Sequence, residues 1–428
     1  MTRAHSVVVL AGLQWLGFLF ANTVVIPLSV GAAFHLSGEA LAGSVARAFI
    51  LTGAACLLQA FAGHRLPLME GQSGIWWGAI LSFIATLTES HVALPLVGGA
   101  IAVGLVVTGI VISVLGLLGV HRFLNRIFSP MVMAVLLLLL TVQLIDVFFR
   151  GMFGMAGGGV LDLKLGALSV AVAILVGVLT VAGRGGLSNF SILIGLVVGW
   201  LLYALVFGAE PVHTPSFAAM GQMFAWGPAR WQPSIVGAVL LIGLINITNT
   251  IASLRAAEAL LGHPVADAQY RRSFVVTGLV TALAGPLSVV PYAPYTSSIG
   301  FLRTTRIVDR APFVLGAALF TAAGLVPALA GFFATLPVAM GDAVLCIAYL
   351  QLFGSGLQAI EGVTFNFRTI FRLALPLCIG LAVQDLPPSA LMSLPGFAQV
   401  ILGNGLLVGI LLALILENSV RWSQWETD

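Results

Sequence analysis

Charge is what this chain lacks most. Its 428 residues include 18 Lys or Arg and 15 Asp or Glu, 8% in all, where a soluble domain carries roughly 25%. With 60% hydrophobic residues, there is too little polar surface to cover a water-soluble fold, and an ordinary soluble domain is excluded. Cysteine is nearly missing as well. Cys56, Cys346 and Cys378 sit in separate apolar runs, without the paired spacing of a disulfide framework or a zinc site, and read as inert core thiols. No metal and no cofactor are expected. The seven histidines lie mostly in loops and no His-Glu-x-x-His run occurs, so an intramembrane enzyme would lack gathered ligands or a nucleophile with its base. The net charge of +3 comes from arginines scattered among short loops rather than gathered in a patch, and a nucleic-acid partner is not expected.

What the chain has is apolar runs. A hydrocarbon core about 30 Å thick takes roughly 20 residues per helix, so the length supports on the order of fourteen spans with short loops. Breaks at Gly, Pro and charge place them at 7–33, 44–62, 66–90, 93–119, 128–149, 164–183 and 188–208. After a polar loop from Glu210 to Pro233 the second set follows at 235–261, 272–286, 288–308, 312–334, 335–357, 368–384 and 397–417. The run after Arg3 is too long for a signal sequence and reads as a retained first span. Threaded with the N-terminus inside, most arginines, among them Arg3, Arg65, Arg122, Arg126, Arg184, Arg255, Arg271, Arg272, Arg303, Arg306, Arg310, Arg368, Arg372 and Arg421, fall on the cytoplasmic side. Arg47, Arg150, Lys164 and Arg230 fall outside. This asymmetry is the positive-inside pattern and predicts an inner-membrane protein with both termini cytoplasmic.

Two segments do not read as ordinary spanning helices: Leu66-Pro67-Leu68-Met69-Glu70-Gly71-Gln72-Ser73-Gly74 and Val289-Val290-Pro291-Tyr292-Ala293-Pro294-Tyr295-Thr296-Ser297-Ser298. Non-helical backbone leaves amides that lipid cannot satisfy, so such stretches belong inside protein or along a wet cavity. They fall in the third and tenth spans. Because those are an odd number apart, the two run in opposite directions, as in an inverted repeat whose site lies where two broken helices meet.

Polar side chains collect near these breaks. Asn22 and Thr23 interrupt the first span, and the eighth carries Asn246, Asn249 or Thr250, and Ser253 on one helical face. If the broken spans turn helical near Ser73 and Thr296, with Ser297 and Ser298 as caps, their first-turn amides point donors into the middle of the protein. Such ends suit a carbonyl-rich or anionic ring, and Gln72, Tyr292, Tyr295, Trp76 and Phe20 supply further polar or flat surfaces. Glu70 is the most informative charge. Five extended residues beyond Arg65, at about 3.3 Å each, put it roughly 16 Å deep, where a carboxyl needs a cavity or a partner and is a candidate proton carrier. Its alternative role is an anchor for amides of the tenth span. Asp146 and Asp342 rank lower, because each falls near a span end where a carboxylate reaches water. Arg303 and Arg306 read as anchors to lipid phosphates or helix ends.

These residues resemble the nucleobase and ascorbate permeases, a family that includes bacterial uracil and xanthine transporters. The resemblance covers nearly the whole chain. Gly12-Leu13-Gln14-Trp15 through Thr23-Val24-Val25-Ile26-Pro27 is similar to that family's opening helix, and Ser298-Ile299-Gly300 with Thr305-Arg306 to the later part of its signature. Ser188-Asn189-Phe190-Ser191-Ile192-Leu193-Ile194-Gly195 and Leu336-Pro337-Val338 resemble its seventh and twelfth spans. The resemblance implies an all-α polytopic fold of fourteen spans in two inverted sevens, with spans three and ten carrying short extended segments. It implies a core domain from 1–119 and 235–334 and a gate domain from 120–210 and 335–428, the latter ending in a short cytoplasmic tail. It further implies a nucleobase such as uracil, xanthine or another purine bound between the two extended segments, symport with a proton or sodium ion, and alternating access of core against gate. Homodimers through the gate are common in such families. Two departures stand out. The family's usual carboxylate in span eight is Asn249 here, and its Glu-Asn or Gln-Asn in span ten is Ser297-Ser298, which leaves Glu70 as the candidate replacement acid. An inorganic-anion carrier or exchanger of the same fold and a non-transporting nucleobase sensor remain as alternatives.

Overall fold

A computed structural model describes residues 3–89, 92–155, 159–183, 190–391, 393–420 and 422. Arg184, Ser188, Asn189, Arg421 and the tail from 423 lie outside the described residues. The first half runs through α1 (Arg3–Ala21), α2 (Val25–Ala33), α3 (Gly38–Phe61), β1 (Glu70–Gln72), α4 (Gly74–Glu89), α5 (Leu94–Leu118), α6 (His121–Ile127), α7 (Pro130–Met152), α8 (Leu163–Ala182) and α9 (Ser191–Phe207). A one-turn helix, α10 (Phe217–Met220), lies in the connecting loop. The second half contains α11 (Pro233–Leu261), α12 (Asp267–Leu287), β2 (Tyr292–Pro294), α13 (Ser297–Thr305), α14 (Arg310–Leu325), α15 (Pro327–Phe333), α16 (Val338–Ala359), α17 (Phe367–Gln384), α18 (Gly396–Leu402) and α19 (Gly405–Ser419).

Among the described residues, 8 helices are long and apolar enough to cross a membrane, counting Val7–Ala33 as one, and this is a multi-pass membrane protein. Three runs read as single spans are divided. At Asn22–Val24 the backbone makes a turn between α1 and α2, and Pro27 then offers no amide to the preceding turn. The stretch read as 312–334 bends by 92° between α14 and α15. Val326 takes an extended conformation (φ −94°, ψ 107°), which Pro327 imposes on the residue before it. The final run divides at Asn404, whose side chain accepts the Leu407 amide at 3.1 Å and caps α19.

Small residues let the helices approach. A Cβ on Gly109 of α5 would lie 2.4 Å from the Gly278 carbonyl oxygen of α12, and one on Gly278 2.6 Å from that of Gly109, so the backbones touch, the arrangement that favours association inside lipid. Arg47, counted above with the outer charges, is only 3% exposed inside α3. It donates to the Leu287 carbonyl at the end of α12 (2.8 Å) and to the Ala219 carbonyl in α10 (2.6 Å), so its charge caps buried backbone. Of the three thiols expected in the core, Cys56 is buried, Cys346 half-buried and Cys378 exposed, and all three are free. Cys378 is thus on the surface of the helix bundle, not in its interior.

Candidate functional site

The two segments that break the helical pattern come together. β1 and β2 pair antiparallel in the register Glu70 with Pro294, Gly71 with Ala293 and Gln72 with Tyr292, and all six residues are buried. Pro67 and Pro291 withhold amides and Gly71 has little helix propensity, so the chain satisfies its backbone across the pair instead. The ladder extends beyond the strands, with the Ser73 amide donating to the Pro291 carbonyl and the Tyr295 amide to the Met69 carbonyl, each at 2.8 Å. α4 begins directly after β1 and α13 directly after β2. The antiparallel pairing therefore sets two helix N-termini at the two ends of one small sheet; in α13 the Ser298 and Ile299 amides turn back to the Tyr295 and Thr296 carbonyls (3.1 and 2.9 Å).

α11 is fastened along this pair by the polar face read from its spacing. Asn246 accepts from the Ser73 hydroxyl (2.6 Å) and from the Asn249 amide (3.1 Å), and donates to the Tyr292 carbonyl (3.0 Å). Asn249 also donates to the Ser73 oxygen at 3.3 Å. Two turns on, Ser253 donates to the Pro294 carbonyl (2.8 Å) and shares a 3.0 Å bond with Thr296. Ser73, Asn246 and Ser253 are buried, whereas Asn249 and Tyr295 are half-buried and Thr296 and Ser297 exposed. The accessible wall is thus Asn249, Tyr295, Thr296 and Ser297, with the fully bonded groups behind it.

Other expected site residues do not join this wall. Asn22 donates to Phe18 of its own helix at 2.8 Å. Thr250 and both amide atoms of Gln72 are buried without a protein partner. Ser297 and Ser298 do not cap α13; its N-cap is Thr296, in helical geometry and without a side-chain cap bond. Ser298 instead turns back to accept the Met69 amide at 3.0 Å, which fixes the chain leading into β1. Of the four rings considered as walls, Tyr295 alone borders the open side, and its hydroxyl donates to the Gln72 carbonyl. Phe20 packs on Phe333 and Phe49, Trp76 is fully buried, and the Tyr292 hydroxyl points into α3, donating to the Ala48 carbonyl (3.4 Å) and accepting from Thr52 (3.2 Å).

Glu70 faces the same way as Tyr292. Its carboxylate accepts from Thr277 of α12 (2.6 Å) and from Gln59 of α3 (3.2 Å), so it anchors no amide of the β2 segment and lies on the rear of the strand pair. The front belongs to the next residue along, as alternation in a strand requires. A Cβ on Gly71 would meet the Tyr295 ring at 2.9 Å and the Met69 methyl at 2.7 Å. Gly71→Ala is therefore expected to displace the ring and destabilise the protein by about 1–3 kcal/mol, as overpacking does; an unchanged melting temperature for the purified variant would mean that the ring is not seated there.

Sequence reasoning missed three participants. Gln59 is on α3 and Thr277, 207 residues from Glu70, is on α12, and the available signal was an amide and a hydroxyl within largely apolar runs. Tyr349 of α16 is the third: a Cβ on Gly74 would lie 3.2 Å from its ring, and it packs edge-on to Trp77 and Phe148. The acids set aside also need revision. Asp146 is partly exposed and pairs with Arg150 at 3.0 Å, but Asp342 does not reach water. It is 2% exposed, packed against Gly151, with Oδ1 unpartnered.

Comparisons with known proteins agree with this architecture. The model of a family described as a permease family matches residues 6–389. Putative purine permease YwdJ of Bacillus subtilis (strain 168) is 27% identical across 98% of this chain and 97% of its own. Uric acid permease PucK of the same organism is 24% identical across 97% and 96%. Among solved structures, the transmembrane domain of a cyanobacterium bicarbonate transporter, BicA, superposes with a TM-score of 0.63 over 96% of this chain and 98% of that one, at 13% identity. That likeness is one of fold.

Proposed function

We propose a function from one premise: the chain belongs to the permease family, that of the nucleobase and ascorbate permeases, and is a transporter rather than an enzyme. On our reading it imports a purine base with carbonyl oxygens, of the uric acid or xanthine type, by proton symport. The names of its relatives, purine permease and uric acid permease, support the substrate class.

The observation that carries this reading is the accessible wall beside the paired strands. A purine dione presents carbonyl oxygens and ring N–H groups alternately around one plane. Asn249, Thr296 and Ser297 both donate and accept, and the Tyr295 ring offers a face for stacking. None of the groups bonded along this wall is Lys or Arg, which suits a neutral ring better than sulfate or bicarbonate.

In the full arrangement we infer fourteen spans in two inverted sevens, with the β1 and β2 segments interrupting spans three and ten. Residues 1–119 and 235–334 form the core domain and 120–210 and 335–428 the gate. The core moves against the gate to expose the wall to either side, in an inner membrane with both termini cytoplasmic and with two copies joined through their gates. The contact of Tyr349 and α7 with the small face of α4, at Gly74 and Gly78, lies where such motion has to slide. Glu70 is the proton carrier, and it acts from behind the strands without touching cargo.

Uptake of radiolabelled xanthine into proteoliposomes, with unlabelled competitors, tests this. Excess uric acid or xanthine is expected to abolish the signal while sulfate and bicarbonate leave it unchanged. Inhibition by sulfate or bicarbonate alone would favour the anion carrier. A base that raises the melting temperature but is never transported would favour the sensor.

A further inference from the structure

A polar seam runs between α3 and α12. On α3 the positions are Thr52, Cys56 and Gln59, and on α12 they are Ser273, Thr277 and Thr281, each series recurring at helical spacing and each member buried to 2% exposure or less. Glu70 enters between them from β1. Its Cys56 neighbour accepts the Glu70 amide at 3.3 Å and donates to its carbonyl at 3.4 Å.

The bonds around Glu70 have a defined sense. Gln59 Oε1 accepts the His64 amide at 3.3 Å, which turns the Gln59 NH2 group toward Glu70 Oε2 (3.2 Å), Thr277 Oγ1 (3.1 Å) and the Ser273 carbonyl (3.2 Å). Gly63 makes room for this amide, since a Cβ there would lie 1.8 Å from Gln59 Oε1. Thr277 is the one partner able to reverse. Its hydroxyl donates to Glu70 Oε1; a proton on Oε1 is accommodated by rotating that hydroxyl to accept.

Three groups along the seam have no protein partner although fully buried: Ser273 Oγ, Thr281 Oγ1 and His64 Nε2. A buried polar atom without a partner calls for an occupant, and water is the usual one. At one end the seam comes within a single residue of the protein surface, because buried His64 adjoins exposed Arg65. The half-buried Gln269 donates to the His64 carbonyl there at 2.5 Å. The titratable groups facing Glu70 are Cys56 from α3 and Tyr292 from β2, with His64 beyond Gln59; none brings a permanent charge.

We propose that this seam holds ordered water and is the path by which protons reach Glu70 from the His64 end, separate from the route taken by cargo. A proton enters from bulk water at Arg65 and His64, passes over waters held by Ser273 and Thr277, and binds Glu70 Oε1; its release reverses the path. No bond other than O–H changes. The inference rests on the proposed proton-coupled transport, and it adds that the ion and the base travel on opposite faces of the strand pair.

The test compares two assays in the same proteoliposomes: uptake of xanthine driven by a pH gradient, and exchange of internal for external xanthine at equal pH, which needs no net proton movement. Thr277→Val is expected to slow driven uptake about tenfold, and Thr277→Ser restores driven uptake. Ser273→Ala removes a hydroxyl that has no protein bond, so it costs the fold little and is expected to slow driven uptake alone. Driven uptake unaltered in Ser273→Ala and Thr277→Val would overturn the proposal, as would equal loss of both assays with no rescue by serine. If wild-type protein neither exchanges nor accumulates any base, it is the functional reading that falls.

Discussion

Glu70→Gln is expected to leave a folded protein that exchanges its cargo but no longer concentrates it. With one proton per base, a gradient of about one pH unit sustains roughly tenfold accumulation, since each tenfold ratio is 1.4 kcal/mol. Without a titratable group at position 70 that ratio falls to unity. The fold is expected to survive because the amide fits the site. Gln59 presents its NH2 group, its orientation fixed by the His64 amide on its oxygen, so the new carbonyl accepts there. The new NH2 group donates to Thr277, whose hydroxyl rotates. The variant resembles the protonated acid, held permanently. Steady-state accumulation measured against imposed pH gradients, with exchange as the control, decides the matter. Accumulation that still follows the gradient would move attention to Asp342, a second buried carboxyl, with its unpartnered Oδ1.

The parts of this site that were readable in the sequence were those encoded locally. Proline, glycine and polar residues at 66–74 and 289–298 marked backbone that a helix could not hold, and both strands fall inside those limits. The spacing of Asn246, Asn249 and Ser253 placed them on one face of α11, and the same spacing delivers all three to the strand pair. Thr250 shared the pattern and yet bonds nothing, because a face read from periodicity is broader than a three-residue strand. What depends on tertiary contact was not readable. The direction of the Glu70 side chain is set by Gln59 and Thr277, and Thr277 stands on a helix from the other half of the chain. The bend before Pro327 carried only a proline in an apolar run, a pattern that a kinked continuous helix shares. Asp342 follows Pro337 by five residues, so a span end was a fair reading; its burial comes from α7 passing close by at Gly151.

Asn246→Ala is expected to be the most damaging single change among the residues that fasten α11 to the strand pair, and to act through stability before affinity. Asn246 makes three bonds inside the protein. Removing it leaves the Ser73 hydroxyl short of an acceptor and the Tyr292 carbonyl without its side-chain donor, in a place water does not readily reach. Unsatisfied buried groups of this kind cost about 1–3 kcal/mol each, so a loss of roughly 2–6 kcal/mol is expected, read as a fall of several degrees in the melting temperature of detergent-purified protein. Ser73→Ala removes the opposite member of the same contact, and the double variant then has less left to lose. The two changes together are expected to cost less than the sum of the singles, since groups in one network couple by about 0.5–3 kcal/mol. Full additivity would mean that α11 is not fastened to the strands through this pair. Asn249→Ala distinguishes scaffold from wall: half-buried and bonded only to Ser73 and Asn246, it is expected to change stability little and to weaken competition by unlabelled xanthine. The contrast between neighbours one helical turn apart follows from which of them the strand pair has already claimed.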